Sequence, residues 1–404
     1  MWSMVNLEKF LIVLFLLFLP SQLAFHFWPA WSLVNGIRVD YLSPTIYLTD
    51  LIILSLFLAS RLRVRIPIFI IIFSILNILV SSSPLVSLYK WLRVLEYLWL
   101  FKYLTQKHLA LSPWPLALSV IWTSALAWWQ FFLQGSVGGL WYWLGERPLS
   151  VSTPLIAKVT LTIHNSLPTL VMRPYATFPH PNALAGFLLV GSVILYSFYT
   201  SPLRPSPIIG EGFRGRGMGL LAVLIALLTI PITFSRTVIV LEMLILLIWL
   251  RPLLLKVFLL ISSIYFLIST SGSVASIPDR LDLIRKSLFL IQKSPILGVG
   301  LGSFIPATMN YELITNNYLY QPVHNIYLLL ASELGLPAAM VIGYWLLVHG
   351  KKMLRTMNYE LITAVAVIVI TGAADHYWLT LHQNILLLII LIAYAYSYRW
   401  GSQR

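Results

Sequence analysis

The sequence predicts an all-α protein, a polytopic membrane helix bundle of about twelve transmembrane helices, and three observations carry that expectation. Hydrophobic residues make up 59% of the 404 residues and charged ones 10%, against about 25% charged in a soluble domain. The apolar residues fall in long runs suited to about 30 Å of hydrocarbon. The net charge of +14 is also unevenly placed along the chain.

With both termini cytoplasmic, the spans lie near 10–28, 46–60, 66–80, 85–104, 114–133, 181–200, 218–234, 236–250, 252–270, 324–348, 359–373 and 377–398. The cytoplasmic segments then hold 16 of the 27 Lys and Arg, opposed by Glu8, Glu211 and Glu360. This is the asymmetry that orients membrane helices, and it accounts for the basicity without a nucleic-acid partner. The chain has no cysteine, which excludes disulfides, thiolate metal sites and a cysteine nucleophile. The whole chain, 1–404, reads as a single membrane domain with two large outer loops, 134–180 and 271–323.

The first span has only Lys9 before it and no small-x-small cleavage site after it, so it reads as a retained helix. The loop 29–45 reads as a solvated turn, and RLRVR at 61–65 as a tight cytoplasmic one. Helix four follows Ser81-Ser82-Ser83-Pro84 and carries Lys90, Arg93, Glu96 and Tyr97. Lys90, Arg93 and Tyr97 share one face. Arg93 either serves function or neutralises Glu96; snorkelling accounts for Lys90 more easily than for the deeper Arg93.

The loop 134–180 contains the interfacial aromatics Trp141-Tyr142-Trp143, and an alternating stretch, 156–164, that predicts a short strand or hairpin. Then comes RPYATFPHPNALAG, 173–186, where Pro179 and Pro181 bracket His180 and Asn182 falls in the first turn of the next helix. The Pro, Gly and Arg-rich loop 201–217 carries no chemistry. Thr233-Phe234-Ser235-Arg236 makes a tight outer turn, with Ser235 an N-cap and Arg236 facing the outer vestibule.

The loop 271–323 carries an amphipathic helix from Asp279 to Lys293, with Leu281, Ile284, Leu288 and Ile291 on its apolar stripe. It is expected to lie on the membrane plane or to cap the bundle. Arg280 or Arg285 can reach back to the vestibule. Gly298-Val299-Gly300-Leu301-Gly302 lacks the Lys-Ser/Thr of a phosphate loop and reads as a turn.

Residues 321–345 are the stretch around which the chain is organised. His324 and Asn325 open an apolar span that contains Glu333, Gly335 and Pro337. A charge at the bilayer centre costs roughly 2.5–3.5 kcal/mol on insertion scales, so Glu333 should face protein or water. Pro337 predicts a kink beside it. Nine residues of straight helix put Glu333 opposite His324 and about 13 Å along, so it reads as structural or as a pathway lining. Near the C-terminus, Asp375, Leu379 and His382 fall on one helical face, though Asp375 also suits an N-cap.

The outer-side polar groups Lys90, Arg93, Arg173, His180, Arg236, Arg285, His324, Asn325 and Asp375 all sit at helix ends. There is no Asp-x-Asp pair for a metal diphosphate, no glycosidase-like carboxylate pair and no nucleophile elbow. A cation-rich site with histidine suits a diphosphate leaving group, since arginine binds phosphate oxygens bidentately and stays charged.

Five motifs add a resemblance. They are Arg173-Pro-x-x-x-Phe-x-His180-Pro-Asn182, Ser235-Arg236, Ser294-Pro-x-x-Gly298-x-Gly300, His324-Asn325 with Glu333-Leu-Gly335, and the acid at Asp375. Together, across 173–382, they resemble the O-antigen ligase and polymerase family of integral-membrane glycosyltransferases. The resemblance implies a polyprenyl (undecaprenyl) diphosphate-linked glycan donor, a glycan or lipid acceptor hydroxyl and a site on the outer side of the cytoplasmic membrane. It implies no cofactor and no metal. His324, Arg236 and Asp375 would be catalytic, with Arg93, Lys90, Arg173, His180, Arg285 and Asn325 binding the diphosphate or acceptor. Ligase and polymerase both remain open. The rival reading is a transporter or flippase of lipid-linked oligosaccharide. It would want charges through the full depth and an internal repeat, and the sequence shows neither. A scaffold would not need His324 and Arg236 at once.

Overall fold

The computed structural model describes residues 4–106, 113–161, 169–200, 212–249, 253–268, 270–271, 277–311, 320–344 and 359–401. Several expectations lie outside the described residues: the cytoplasmic Lys107, Arg204, Arg251, Lys351, Lys352, Arg355 and Arg404, and strand continuation through 162–164.

Each expected span holds helix. The first nine helices are α1 (Met4–Leu17), α2 (Leu48–Ser60), α3 (Ile68–Leu79), α4 (Pro84–Gln106), α5 (Pro113–Leu133), α6 (Pro181–Thr200), α7 (Gly212–Thr229), α8 (Arg236–Trp249) and α9 (Leu253–Ile268). Then follow α10 (Ile277–Lys293), α11 (Phe304–Asn310), α12 (Ile326–Leu334), α13 (residues 336–344), α14 (Tyr359–Ala374), α15 (Tyr377–Thr380) and α16 (His382–Gly401). Helices α4, α5 and α6 each open on proline, whose fixed φ suits a first turn and whose missing N–H is no loss there. Among the described residues, Pro113–Leu133 and Pro181–Phe198 are long and apolar enough to cross a membrane. Six more apolar helices, such as Leu48–Ser60 and Tyr359–Ala374, are shorter.

Several expectations need correction. The first span stops as helix at Leu17; the chain turns through Pro20 and enters β1 (Ala24–His26). The loop expected to be a solvated turn is two small hairpins, β1 with β4 (Thr45–Tyr47) and β2 (Leu33–Val34) with β3 (Ile37–Arg38). Asn35 and Gly36, with φ of 50° and 78°, supply the positive angles that a two-residue hairpin turn demands. The expected kink at Pro337 is a full break. Gly335 takes φ 82°, the Leu336 N–H leaves the helix for the Pro295 carbonyl at 2.8 Å, and Pro337 falls in the first turn of α13. Likewise α15 and α16 are separated by an extended Leu381, so Asp375 and His382 share no continuous helical face.

The expected strand in 134–180 is present. β5 (Lys158–Leu161) pairs antiparallel with β6 (Thr169–Met172) and with β7 (Thr270–Ser271). The amphipathic α10 also forms, but it docks through Leu283, Ser287 and Leu290, and Ser287 Oγ donates to the Leu328 carbonyl on α12 at 3.2 Å. The predicted stripe residues Leu281 and Leu288 stay 47% and 53% exposed. The apolar arc spans about half the helix, and only one side of it meets the bundle.

Two close approaches place the site. A Cβ on Gly186 of α6 would lie 2.8 Å from the Tyr377 ring of α15, and one on Gly372 of α14 would lie 2.9 Å from Ile326 Cγ1 of α12. Glycine at these positions lets α6, α12, α14 and α15 converge at one end. Trp378, fully buried, donates to Thr371 Oγ1 at 2.8 Å and ties α15 back onto α14.

Candidate active site

The convergence brings together the residues before α6, at the start of α8, before α12 and after α14. Asp375 is the hub. Its Oδ1 lies 3.2 Å from His324 Nδ1 and accepts the backbone N–H of His376 at 2.8 Å. Its Oδ2 accepts from Asn182 Nδ2 at 3.0 Å. The Asn182 Oδ1 accepts from Arg173 Nη2 at 2.7 Å, and Arg173 Nε donates to the Thr233 carbonyl at 2.7 Å. Thr233 belongs to the turn that delivers Arg236, which is exposed at the start of α8 and within electrostatic reach of Arg173. Asn325 is the N-cap of α12: its Oδ1 accepts from the N–H groups of Tyr327 and Leu328, and its Nδ2 donates to the Ala373 carbonyl at 3.1 Å. That single residue starts the helix that follows His324 and latches it to the end of α14.

The electrostatics separate three histidines. Burial, reinforced by Arg173, pushes His180 down to about 3, and its Nδ1 accepts the Asn182 backbone N–H at 3.1 Å. Burial holds His376 at about 4 despite Asp375; its ring stacks on His324 with centroids 5.0 Å apart, and its Nδ1 pairs with Thr380 Oγ1 at 2.7 Å. Both are neutral at ordinary pH and poor proton acceptors. Burial alone would raise the Asp375 carboxyl, but the His324 hydrogen bond and the three nearby imidazoles hold it well below the carboxylate range. Burial lowers Arg173 to about 10, which leaves it cationic at neutral pH. His324 is the ring that pairs with the ionised carboxylate, and it is partly open to solvent, at 16% side-chain exposure.

The donor atoms of His324, Asp375 and His376 lie within 4.8 Å of one another, the spacing a metal ion would need. Both Asp375 oxygens and His376 Nδ1 take part in hydrogen bonds as well.

His324, Asn325, His180, Arg173 and Asp375 thus come together, with Arg236 beside them. Arg285 is exposed, whereas Arg280, the other candidate on α10, donates to the Ala374 carbonyl at 3.4 Å. Lys90 and Arg93 sit elsewhere. Arg93 makes ion pairs of 2.7 Å with both Asp50 and Glu96 and hydrogen-bonds Tyr97 and His382. Lys90 lies over the Tyr41 ring at 4.8 Å, beside Glu333. Glu333 itself is structural: its carboxyl accepts from the N–H groups of Gly302 and Phe304 and from Tyr41 Oη. Asn182 and His376 are the contributors that residue type alone did not single out. Their signal was adjacency, since each lies within two residues of a predicted site residue.

Residues 215–343 match the model of the O-antigen ligase family. The match runs from α7 into α13 and includes Arg236, Arg280, His324 and Asn325; Arg173, His180, Asn182 and Asp375 lie outside it. No significant match was found among curated proteins or among solved structures. The O-antigen ligase match supports a membrane glycosyltransferase-like role in polysaccharide biosynthesis, with lipid-linked glycan substrates.

Proposed function

We propose that the protein transfers a glycan from a polyprenyl diphosphate carrier to an acceptor hydroxyl, with His324 as general base. The observation that carries this is the 3.2 Å contact between His324 Nδ1 and an ionised Asp375 beside a group of arginines. His324 takes the acceptor's proton as its oxygen attacks the anomeric carbon. The bond from that carbon to the diphosphate oxygen breaks, and a single displacement inverts the centre. Charge develops on the departing diphosphate. Arg236, with Arg280, neutralises it in place of a metal ion, and Asn325 holds the edge of the acceptor side. The site faces the extracytoplasmic side of the cytoplasmic membrane, in keeping with the basic residues expected on the opposite side.

The test is release of polyprenyl diphosphate from lipid-linked oligosaccharide by the purified protein in lipid, with a chelator present. Release supports transfer without a metal; a lipid-linked ladder as product indicates a polymerase, and a different acceptor a ligase. Movement of the intact lipid-linked sugar across the bilayer without release would establish the transporter reading instead.

A further inference from the structure

The ionised Asp375 accepts at both oxygens, and its orientation is set by groups that can only donate. Arg173 has donors and no acceptor. Its Nη2 meets Asn182 Oδ1 at 2.7 Å, and its Nε is pinned on the Thr233 carbonyl at 2.7 Å. The Asn182 amide therefore has one orientation: the oxygen toward Arg173 and the NH2 toward Asp375 Oδ2, 3.0 Å away. The His376 backbone N–H, also a pure donor, takes Asp375 Oδ1 at 2.8 Å. Each Asp375 oxygen is thereby held in place by a donor. The remaining partner of Oδ1 is His324 Nδ1 at 3.2 Å, so that nitrogen must carry the hydrogen. The Asn182 side chain reaches Arg173 and Asp375, both outside its own helix, so more than a cap is at stake.

We propose that Asn182, held in place by Arg173, is a positioning residue that orients the Asp375 carboxylate on His324 and so holds the ring as the Nδ1–H tautomer, with Nε2 as the proton-accepting atom. The assignment of Nε2 as the base rests on the proposed transferase reading; the tautomer lock does not. Arg173 thus frames the base through Nε and Nη2, rather than spending its whole fork on the diphosphate. The hydrogen-bond relay spans three separate segments, which is why α6 must meet α15 closely at Gly186.

The experiment is nitrogen NMR of the histidine-labelled full-length protein in lipid bilayers, without substrate, at about pH 8, above the ordinary imidazole range. The His324 signals are assigned by their loss in His324→Ala. Wild type should show a pyrrole-type Nδ1 and a pyridine-type Nε2. Asn182→Ala should lose this single pattern for a mixture of tautomers. Arg173→Gln, which keeps a hydrogen-bonding side chain but loses the Nε and Nη2 fork that anchors Asn182, should do the same, and it serves if the alanine variant fails to fold. In turnover, Asn182→Ala should lower kcat by about 10-fold or more, up to the roughly 10²–10⁴ a positioned general base contributes, with the donor KM unchanged. A wild-type Nε2–H tautomer, or an unaltered Nδ1–H pattern in both variants, would overturn the proposal. The shifts are read without chemistry, so absence of turnover would count against the reaction alone.

Discussion

Replacing Glu333 with glutamine should destabilise the protein and leave the turnover of folded molecules intact. The carboxyl is 3% exposed and accepts the Gly302 N–H at 2.8 Å on one oxygen, and the Phe304 N–H at 3.0 Å and Tyr41 Oη at 2.6 Å on the other. Glutamine offers one acceptor oxygen. Whichever way its amide turns, an NH2 faces a backbone N–H that cannot change role. Leaving one buried donor unpaired costs about 1–3 kcal/mol. Glu333→Ala orphans both backbone donors and should cost about twice as much, before any cavity term. Thermal unfolding of the purified protein in lipid gives the ranking, wild type above Gln above Ala, and turnover is normalised to the folded fraction. Wild-type thermal stability combined with lost turnover would instead place Glu333 in the chemistry.

Three more outcomes are expected. Arg93→Ala strands Asp50 and Glu96 without their cation and should cost about 3–5 kcal/mol; thermal scans check it, and an unshifted scan with a raised donor KM would put Arg93 at the substrate instead. Arg280→Ala should raise the donor KM while Arg285→Ala leaves it alone, because Arg280 contacts the Ala374 carbonyl next to Asp375; the reverse order would assign the diphosphate to the exposed face of α10. His180 and His376 have folded values of about 3 and about 4, below the ordinary imidazole value. The unfolded chain takes up these protons first, so their stabilisation is full above about pH 6.5 and is lost as the pH falls toward 4 and then 3. The depressed Asp375 adds a loss of the same sign only below about pH 4. Melting temperature should fall over that window, and less steeply in His376→Asn; an unchanged slope would contradict the assignment.

The helices were legible because apolar runs and proline-led starts are local properties. The breaks at Gly335 and Leu381 were not, because the first is set by Pro295, forty residues earlier in the chain, whose carbonyl takes the Leu336 N–H. The docking side of α10 is hidden from the sequence for a related reason: its apolar arc is wide, and Ser287 rather than another leucine lies at the contact, bonded to Leu328. In the site, His324, Asp375, Arg173 and His180 stood out as polar groups at the ends of apolar helices. Lys90 and Arg93 showed the same local signal. What redirects them is Tyr41, Asp50, Glu333 and His382, partners no spacing rule connects to α4. Asn182 looked like a first-turn residue, and its role emerges only when Arg173 and Asp375 are seen on either side of it.

The most direct test of the central claim is to measure donor binding and turnover side by side in His324→Ala. His324→Ala should bind the donor with the Kd of wild type and turn over with a kcat lower by roughly 10²–10⁴, the range of a lost general base. An unchanged kcat, or a loss that appears entirely in donor binding, would contradict it.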